Sequence, residues 1–317
     1  MSLGVIFNLI LMLVLLIFIG IIASYFKIIT PASKDFLARI IFNITLPALV
    51  FTNFSKVNVN GHLISNSLLC FLISAVVLFL MLSAGWAGSK LLRMKREEAG
   101  IYRVHSMLGN IMYLGFPVIS ALYGNEGLLY ASIFALVSNI LMWTVGVVTL
   151  SSSVEKSFIK SLSHLLNPNS VAIVAGFILF LLSVKIPSLL LDPLTGLGAS
   201  TTYLSMIFIG TVIFYAKKDR IFGNIPVYVL SISKLLIVPV LLILIFRLTG
   251  STELLKFDEM VASVIIMQAA MPCMVNVVIL TSYLGEDDTF ATGNVFVSTV
   301  LSLFTIQVVY LLIGILK

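Results

Sequence analysis

Apolar residues run in long stretches that short groups of charged or turn-forming residues separate. A helix needs about twenty apolar residues to cross a bilayer, because each residue rises about 1.5 Å through roughly 30 Å of hydrocarbon. The pattern therefore predicts an all-α membrane protein with ten transmembrane helices. They lie near residues 4–26, 36–55, 63–88, 100–123, 127–150, 169–185, 193–216, 225–247, 260–283 and 290–315.

The composition supports this interpretation and excludes several classes of protein. Of 317 residues, 60% are hydrophobic and 10% are charged, whereas soluble domains are about half apolar and a quarter charged. Cys70 and Cys273 lie inside apolar stretches, without the neighbouring Cys or His residues of a metal site. We therefore predict neither an enzyme nor a protein with a bound cofactor.

The positive charges indicate how the chain is oriented. Thirteen Lys and Arg residues fall in loops on one side of the predicted spans and five on the other. The positive-inside rule then places the loops 93–96 and 217–220 in the cytoplasm and both termini outside the cytoplasmic membrane. The net charge of +6 arises from these short loop clusters, so the expected partner is the lipid bilayer and not a nucleic acid.

A weak internal similarity joins the two halves of the chain. A shift of about 160 residues places Tyr130-Ala-Ser132 over Phe290-Ala-Thr292, in spans five and ten. Because five is an odd number, the second copy of a five-span unit has to enter the membrane from the side opposite to the first copy. The result is an inverted five-plus-five repeat. Chance similarity between two apolar helices is the alternative. The predicted parts are a first repeat in 1–150, a short cytoplasmic linker in 151–168 and a second repeat in 169–317.

The fourth span of each half carries a proline near its middle, Pro117 in one and Pro272 in the other. Proline removes a backbone hydrogen bond and clashes with the preceding turn, so a helix kinks or breaks there. Two helices broken at matching depths would present half-helix N-termini, whose partial positive charge and free N–H groups suit a carboxylate. A simple kink is the alternative, and it is the interpretation we prefer for Pro47, Pro226 and Pro239.

Buried charge is scarce in this sequence. Every acidic residue falls in a loop or at a span end, which argues against a cation as the main cargo. Lys234 lies about ten residues, or roughly 15 Å, into span eight. Its side chain would face an anionic substrate, be neutral, or donate hydrogen bonds to carbonyls of a broken helix. We expect Arg103 and His105, near the mouth of span four, to contact lipid headgroups, with pH sensing as the alternative for His105.

Several segments resemble the auxin efflux carrier family, which includes plant auxin exporters and bacterial malate or malonate permeases. They are Gly109–Pro117, Ala121–Gly124, Gln268–Pro272 and the pattern from Lys234 to Pro239, and the resemblance extends over essentially all ten spans. It implies two broken crossing helices, as in NhaA and the bile acid carriers, with a scaffold domain, a transport domain and a homodimer. Only about seventeen residues separate spans five and six, so the chain looks like the compact prokaryotic type.

The resemblance also implies residue roles. Asn110 would contribute to the substrate site, Pro117 and Pro272 would mark the two crossovers, and Asn43 and Pro47 would match the family's second span. Together with the residue pattern, this gives a predicted set of substrate-binding residues. The set is Asn43, Pro47, Asn110, Gly115, Pro117, Val118, Lys234, Pro272, Cys273 and Asn276.

The function predicted from these features is secondary transport of a small organic anion, a mono- or dicarboxylate or an auxin-like acid, by alternating access. The coupling ion, proton or sodium, is left open. One alternative is a sodium-coupled symporter resembling bile acid carriers, in which backbone and hydroxyl oxygens would hold the ion. A channel or a membrane receptor is the alternative from another class.

Overall fold

The computed structural model describes residues 3–56, 61–150, 166–184, 186–215, 223–250, 258–283 and 289–314. Most of the predicted linker and the loop 217–220 lie outside these ranges. The first helices are α1 (Leu3–Tyr25), α2 (Pro31–Ile40), α3 (Leu46–Phe54), α4 (Gly61–Leu91), α5 (Arg96–Met107), α6 (Phe116–Leu141) and α7 (Val147–Leu150). They are followed by α8 (Pro168–Leu181), α9 (Ser188–Tyr215), α10 (Ile225–Ile232), α11 (Val238–Gly250), α12 (Glu259–Ala269), α13 (Val275–Tyr283) and α14 (Thr289–Ile313).

Polar residues define where several of these helices begin. Thr30 caps α2 by accepting a hydrogen bond from the Ser33 N–H at 3.2 Å, and Asn167 caps α8 by accepting from Asn169 and Ser170. In both helices proline is the first helical residue, where its missing N–H and fixed φ fit a helix start. Asp258 caps α12 in the same way, through the Met260 N–H at 2.8 Å.

Wider π-helical turns interrupt the regular helices at four places in the described residues. They are Ile41–Thr45, Ile111–Gly115, Met142–Gly146 and Ser233–Ile237. Three of these turns are followed two residues later by a proline, namely Pro47, Pro117 or Pro239. A π-turn shifts the hydrogen-bonding register locally, which allows the chain to stay helical around a residue that lacks an N–H.

The described residues form two compact units. The first comprises those within 1–67, 112–133 and 167–215, where α1 packs along α9, and α3 packs against both α8 and α9. Gly20 of α1 and Gly210 of α9 allow a close approach, because a Cβ atom at Gly210 would overlap the carbonyl oxygen of Ile17. Small residues at such contacts are the usual way in which membrane helices pack closely.

Two amide side chains of the first unit donate hydrogen bonds to backbone carbonyls where the helices are irregular. The Asn53 amide donates to the carbonyl of Asn125 at 2.9 Å, just after Gly124, whose φ of 65° breaks the long helix α6. The Asn169 amide donates to the carbonyl of Phe42, in a π-turn, at 2.8 Å. Each bond satisfies a carbonyl that lies where the regular helical pattern is disturbed.

The second unit comprises the described residues within 68–111, 134–166 and 216–317. Helix α5 packs against α7, α13 and α14, while α14 also packs against α10 and α11. The Ser106 hydroxyl of α5 donates to the Met81 carbonyl of α4 at 2.9 Å. This unit contains the end of α5 and the interruption between α12 and α13, and packing around α5 and α14 positions them.

The surface of the helices suits a lipid environment. On α4, Leu68, Leu72 and Val76 are exposed on one face, whereas Cys70 and Ser74 are buried on another, and such apolar faces are unfavourable in water. Within the described part of the chain, six helical segments are long and apolar enough to cross a membrane. They are Pro31–Phe54, Gly61–Leu91, Ile111–Leu150, Ser188–Tyr215, Ile225–Leu248 and Thr289–Ile313. The chain is thus a multi-pass membrane protein, while ten spans and an inverted repeat stay predictions.

The close contact between α1 and α9 yields a matched test of packing. We expect Gly210→Ala to destabilise the protein by about 1–3 kcal/mol, because the added methyl group overlaps the Ile17 carbonyl. Gly196→Ala, on the same helix, meets nothing within 4 Å and should leave stability unchanged or slightly raised. Thermal unfolding of the purified proteins in detergent measures both, and equal Tm values for the two variants would contradict this packing.

Candidate functional site

Two interrupted helices meet through their backbones in the second unit. Helix α5 ends at Met107 and α12 ends at Ala269, and the non-helical residues after them pair with each other. Gly109 and Cys273 form an isolated antiparallel bridge, and the Asn110 N–H donates to the Pro272 carbonyl at 2.6 Å. We call residues 108–110 and 270–274, with this pairing, the crossing.

The residue types explain why the helices stop here. Pro272 lacks an N–H and disfavours a helical conformation for the residue before it. Gly109 is needed for the close approach, since a Cβ atom there would lie 3.2 Å from both Cβ and the carbonyl oxygen of Met271. The first interruption is therefore at residues 108–110, upstream of Pro117, which lies within the first turn of α6.

Helix α14 supports the crossing from one side. The Ser298 hydroxyl accepts a hydrogen bond from the Cys273 N–H at 3.0 Å and donates its own proton to the Asn294 carbonyl. Cys273 and Ser298 are both fully buried. The serine thus satisfies a backbone N–H that the interruption of the helix leaves without a helical partner.

His105 connects α5 to the crossing and to α14. Its Nε2 lies 3.2 Å from the Met274 carbonyl oxygen, and its Nδ1 lies 3.3 Å from the amide nitrogen of Asn294. A carbonyl oxygen only accepts, so Nε2 carries the proton, and in the neutral ring Nδ1 accepts from Asn294. His105 is fully buried, so the expected contact with lipid headgroups is wrong. The interaction that places it comes from residues far away in the sequence.

The Lys234 ammonium lies at the carboxyl end of α5. Lys234 lies in the π-turn Ser233–Ile237 between α10 and α11, is 1% exposed, and donates from Nζ to the Ser106 carbonyl at 2.9 Å. The ion pair seen between described residues joins Lys34 and Asp35, and Lys234 takes no part in it. Of the three arrangements expected from the sequence, the observed one is donation to a carbonyl of a broken helix.

Several amide groups near the crossing are buried without a hydrogen-bond partner among the described residues. They are the side-chain nitrogen of Asn110, both polar atoms of Gln268, and the side-chain oxygen of Asn294. Asn110 belongs to the crossing, and Gln268 lies in the last turn of α12. Burial of an unpaired amide is unfavourable, so these groups are candidates for contact with a polar ligand.

The remaining predicted residues divide between the two units. Asn276 is partly exposed in the first turn of α13, in the same unit as Asn110, Lys234, Pro272 and Cys273. The other unit contains Asn43, Pro47, Gly115, Pro117 and Val118. Asn43 is exposed and donates to the Arg39 carbonyl of its own helix at 3.0 Å. A role of these five residues in substrate binding stays a prediction.

Asn294 and Ser298 are not among the predicted site residues, although the sequence carries a usable signal for them. They lie four residues apart in an apolar span, which places them on one face of the helix. Polar residues inside a membrane helix tend to face protein partners. The Ser106 carbonyl had no such signal, because a backbone acceptor is present at every position.

Two comparisons with known proteins identify the class of protein to which the chain is similar. A family model described as membrane transport protein matches residues 5–310. The chain is also 26% identical over 310 residues to a protein of Methanocaldococcus jannaschii that is named an uncharacterized transporter. That alignment covers 94% of this chain and 96% of the relative.

The support that α14 gives to the crossing is testable with two serines one turn apart. Ser298→Ala leaves the buried Cys273 N–H unpaired, and we expect a loss of about 1–3 kcal/mol in stability. Ser302, also fully buried, bonds only to the Thr299 carbonyl of its own helix, so Ser302→Ala should change stability much less. Thermal unfolding in detergent compares the two, and an equal or larger effect of Ser302→Ala would contradict the assignment.

Proposed function

Because the chain belongs to the membrane transport protein family, the family of the auxin efflux carriers that its motifs resemble, we propose that it is a secondary transporter of a small organic anion. The substrate class is a mono- or dicarboxylate, and the transport mode is alternating access. The proposal goes beyond membrane transport in naming the substrate class and the residues that bind it.

The observation that carries this proposal is the set of unpaired buried amides at the crossing. The Asn110 side chain offers N–H donors, and Gln268 offers the same type of group from the last turn of α12. A carboxylate accepts hydrogen bonds only, and bonds to a charged acceptor are stronger than those between neutral groups. An anion bound there would therefore satisfy donors that are otherwise buried without partners.

The charge of the site supports the same substrate class. Helix α13 begins at Val275, directly after the crossing, and the N-terminus of a helix carries roughly half a positive charge. The Lys234 ammonium bonds to Ser106, four residues before Asn110. Within the described residues no ion pair neutralises this lysine. The positive charges and N–H donors favour an anion over a cation as cargo.

We further propose ten transmembrane spans in the cytoplasmic membrane with both termini outside, and assembly as a homodimer. In this assignment α2 with α3, α10 with α11, and α12 with α13 each form one span, and Gly124 divides α6 between spans four and five. The six long helical segments and the shorter apolar helices Leu11–Tyr25, Pro168–Leu181 and Glu259–Ala269 support it.

Exchange in proteoliposomes tests the function and the site together. We expect saturable exchange of at least one labelled acid among malonate, malate and indole-3-acetate. Asn110→Ala and Gln268→Leu should each lower exchange at low substrate concentration by about tenfold or more, because each removes a donor to a charged group. Gln307→Leu is the matched control, since the Gln307 amide bonds to the Leu303 carbonyl of its own helix.

The possible outcomes separate the function from the site. Absence of exchange for every acid tested would contradict organic-anion transport. Wild-type rates in both Asn110→Ala and Gln268→Leu would leave the function standing but would contradict the proposed binding site. A comparable loss in Gln307→Leu would show that the effect is not specific to the crossing.

A further inference from the structure

The Ser106 carbonyl lacks the partner that a continuous helix would provide. In a continuous helix this carbonyl would accept from the N–H of residue 110, but the Asn110 N–H donates to Pro272 instead. The end of a helix carries roughly half a negative charge on such carbonyls. The interruption therefore creates a buried site of negative potential at the end of α5.

Oxygen atoms at this helix end are of the kind that bind alkali cations. The Ser106 carbonyl is one of them. The side-chain oxygen of Asn294 is fully buried and has no hydrogen-bond partner among the described residues, and the amide of Asn294 bonds to His105, the neighbour of Ser106. Carbonyl and amide oxygens are ligands for hard cations. The Ser106 carbonyl at the end of α5 is thus an oxygen of the kind that binds a monovalent cation.

The protein supplies its own cation at this position. The Lys234 ammonium, which carries one positive charge like an alkali ion, donates to the Ser106 carbonyl at 2.9 Å and is 1% exposed. It comes from the π-turn between α10 and α11, so its position does not depend on the solution outside. A covalently held charge needs no binding equilibrium with free ions.

We propose that Lys234 is a tethered counter-ion at the carboxyl end of α5, which replaces a free sodium or potassium ion and makes transport independent of both. This inference rests on the proposed function and names how one of its requirements, charge balance at the broken helix, is met. It also distinguishes this chain from a sodium-coupled symporter. Lys234 acts here as a positioning residue, because it holds the end of α5 beside the crossing.

The test compares Lys234→Ala, which removes the charge and leaves space for an ion, with Lys234→Met, which removes the charge and fills most of that space. Exchange of labelled malate is measured in sodium, potassium or choline chloride at equal ionic strength. The wild type should exchange equally in all three salts. Lys234→Ala should lose about tenfold in choline and regain most of this activity in sodium or potassium. Lys234→Met should stay low in every salt.

Thermal unfolding in detergent gives a second measurement that needs no substrate. Sodium or potassium, relative to choline, should raise the Tm of Lys234→Ala through binding to the folded state, but should not raise that of the wild type or Lys234→Met. Lys90→Ala is a control, because Lys90 lies over the Trp86 ring, and its Tm should not respond to the salt. If the wild type exchanges no acid, the proposed function fails, while this measurement still tests the tethered ion.

Several results would overturn the inference. They are sodium-dependent exchange by the wild type, full activity of Lys234→Ala in choline, and the absence of any cation effect on the activity and Tm of Lys234→Ala. A cation effect of equal size in Lys234→Met would also count against it, since that variant has no space for the ion. Failure to recover folded Lys234→Ala from sodium, potassium and choline alike would mean that no free ion replaces the lysine.

Discussion

The structure depends on the requirement that every backbone N–H and C=O group inside a bilayer finds a partner within the protein. Two helices that stop in an apolar protein interior leave several such groups without helical partners. The crossing meets this requirement by pairing the interrupted segments with each other, through the Asn110 N–H and the Pro272 carbonyl. Two further groups are satisfied by side chains: Ser298 accepts from the Cys273 N–H, and Lys234 donates to the Ser106 carbonyl.

This arrangement separates groups that maintain the fold from groups that remain available for binding. His105 and Ser298 each bond to the backbone of the crossing, and His105 also bonds to the Asn294 amide, which holds the segments in place. The side-chain amides of Asn110 and Gln268 are buried beside this framework without partners in the described residues. These N–H donors are what the proposed binding of an organic anion requires.

The sequence predicts the helical class, the membrane environment and the interruption at Pro272, because hydropathy and proline act locally. It is less informative about the first interruption, which lies at 108–110 and not at Pro117. The π-turn Ile111–Gly115 accommodates Pro117 without a break, whereas Gly109 permits the close approach to Met271 in the crossing. The burial of His105 and the partner of Lys234 were not predictable for a related reason. Both depend on contacts with residues more than a hundred positions away, and local pattern carries no information about such contacts.

The most direct test of the central claim is a cryo-electron microscopy map of the protein in a lipid nanodisc with the carboxylate that it exchanges. We expect density for the anion at the crossing, with its oxygens within hydrogen-bond distance of the Asn110 and Gln268 amides, and two interrupted helices paired at Gly109 and Cys273. Continuous helices through residues 108–110 and 270–274, or an anion bound away from both amides, would contradict the central claim.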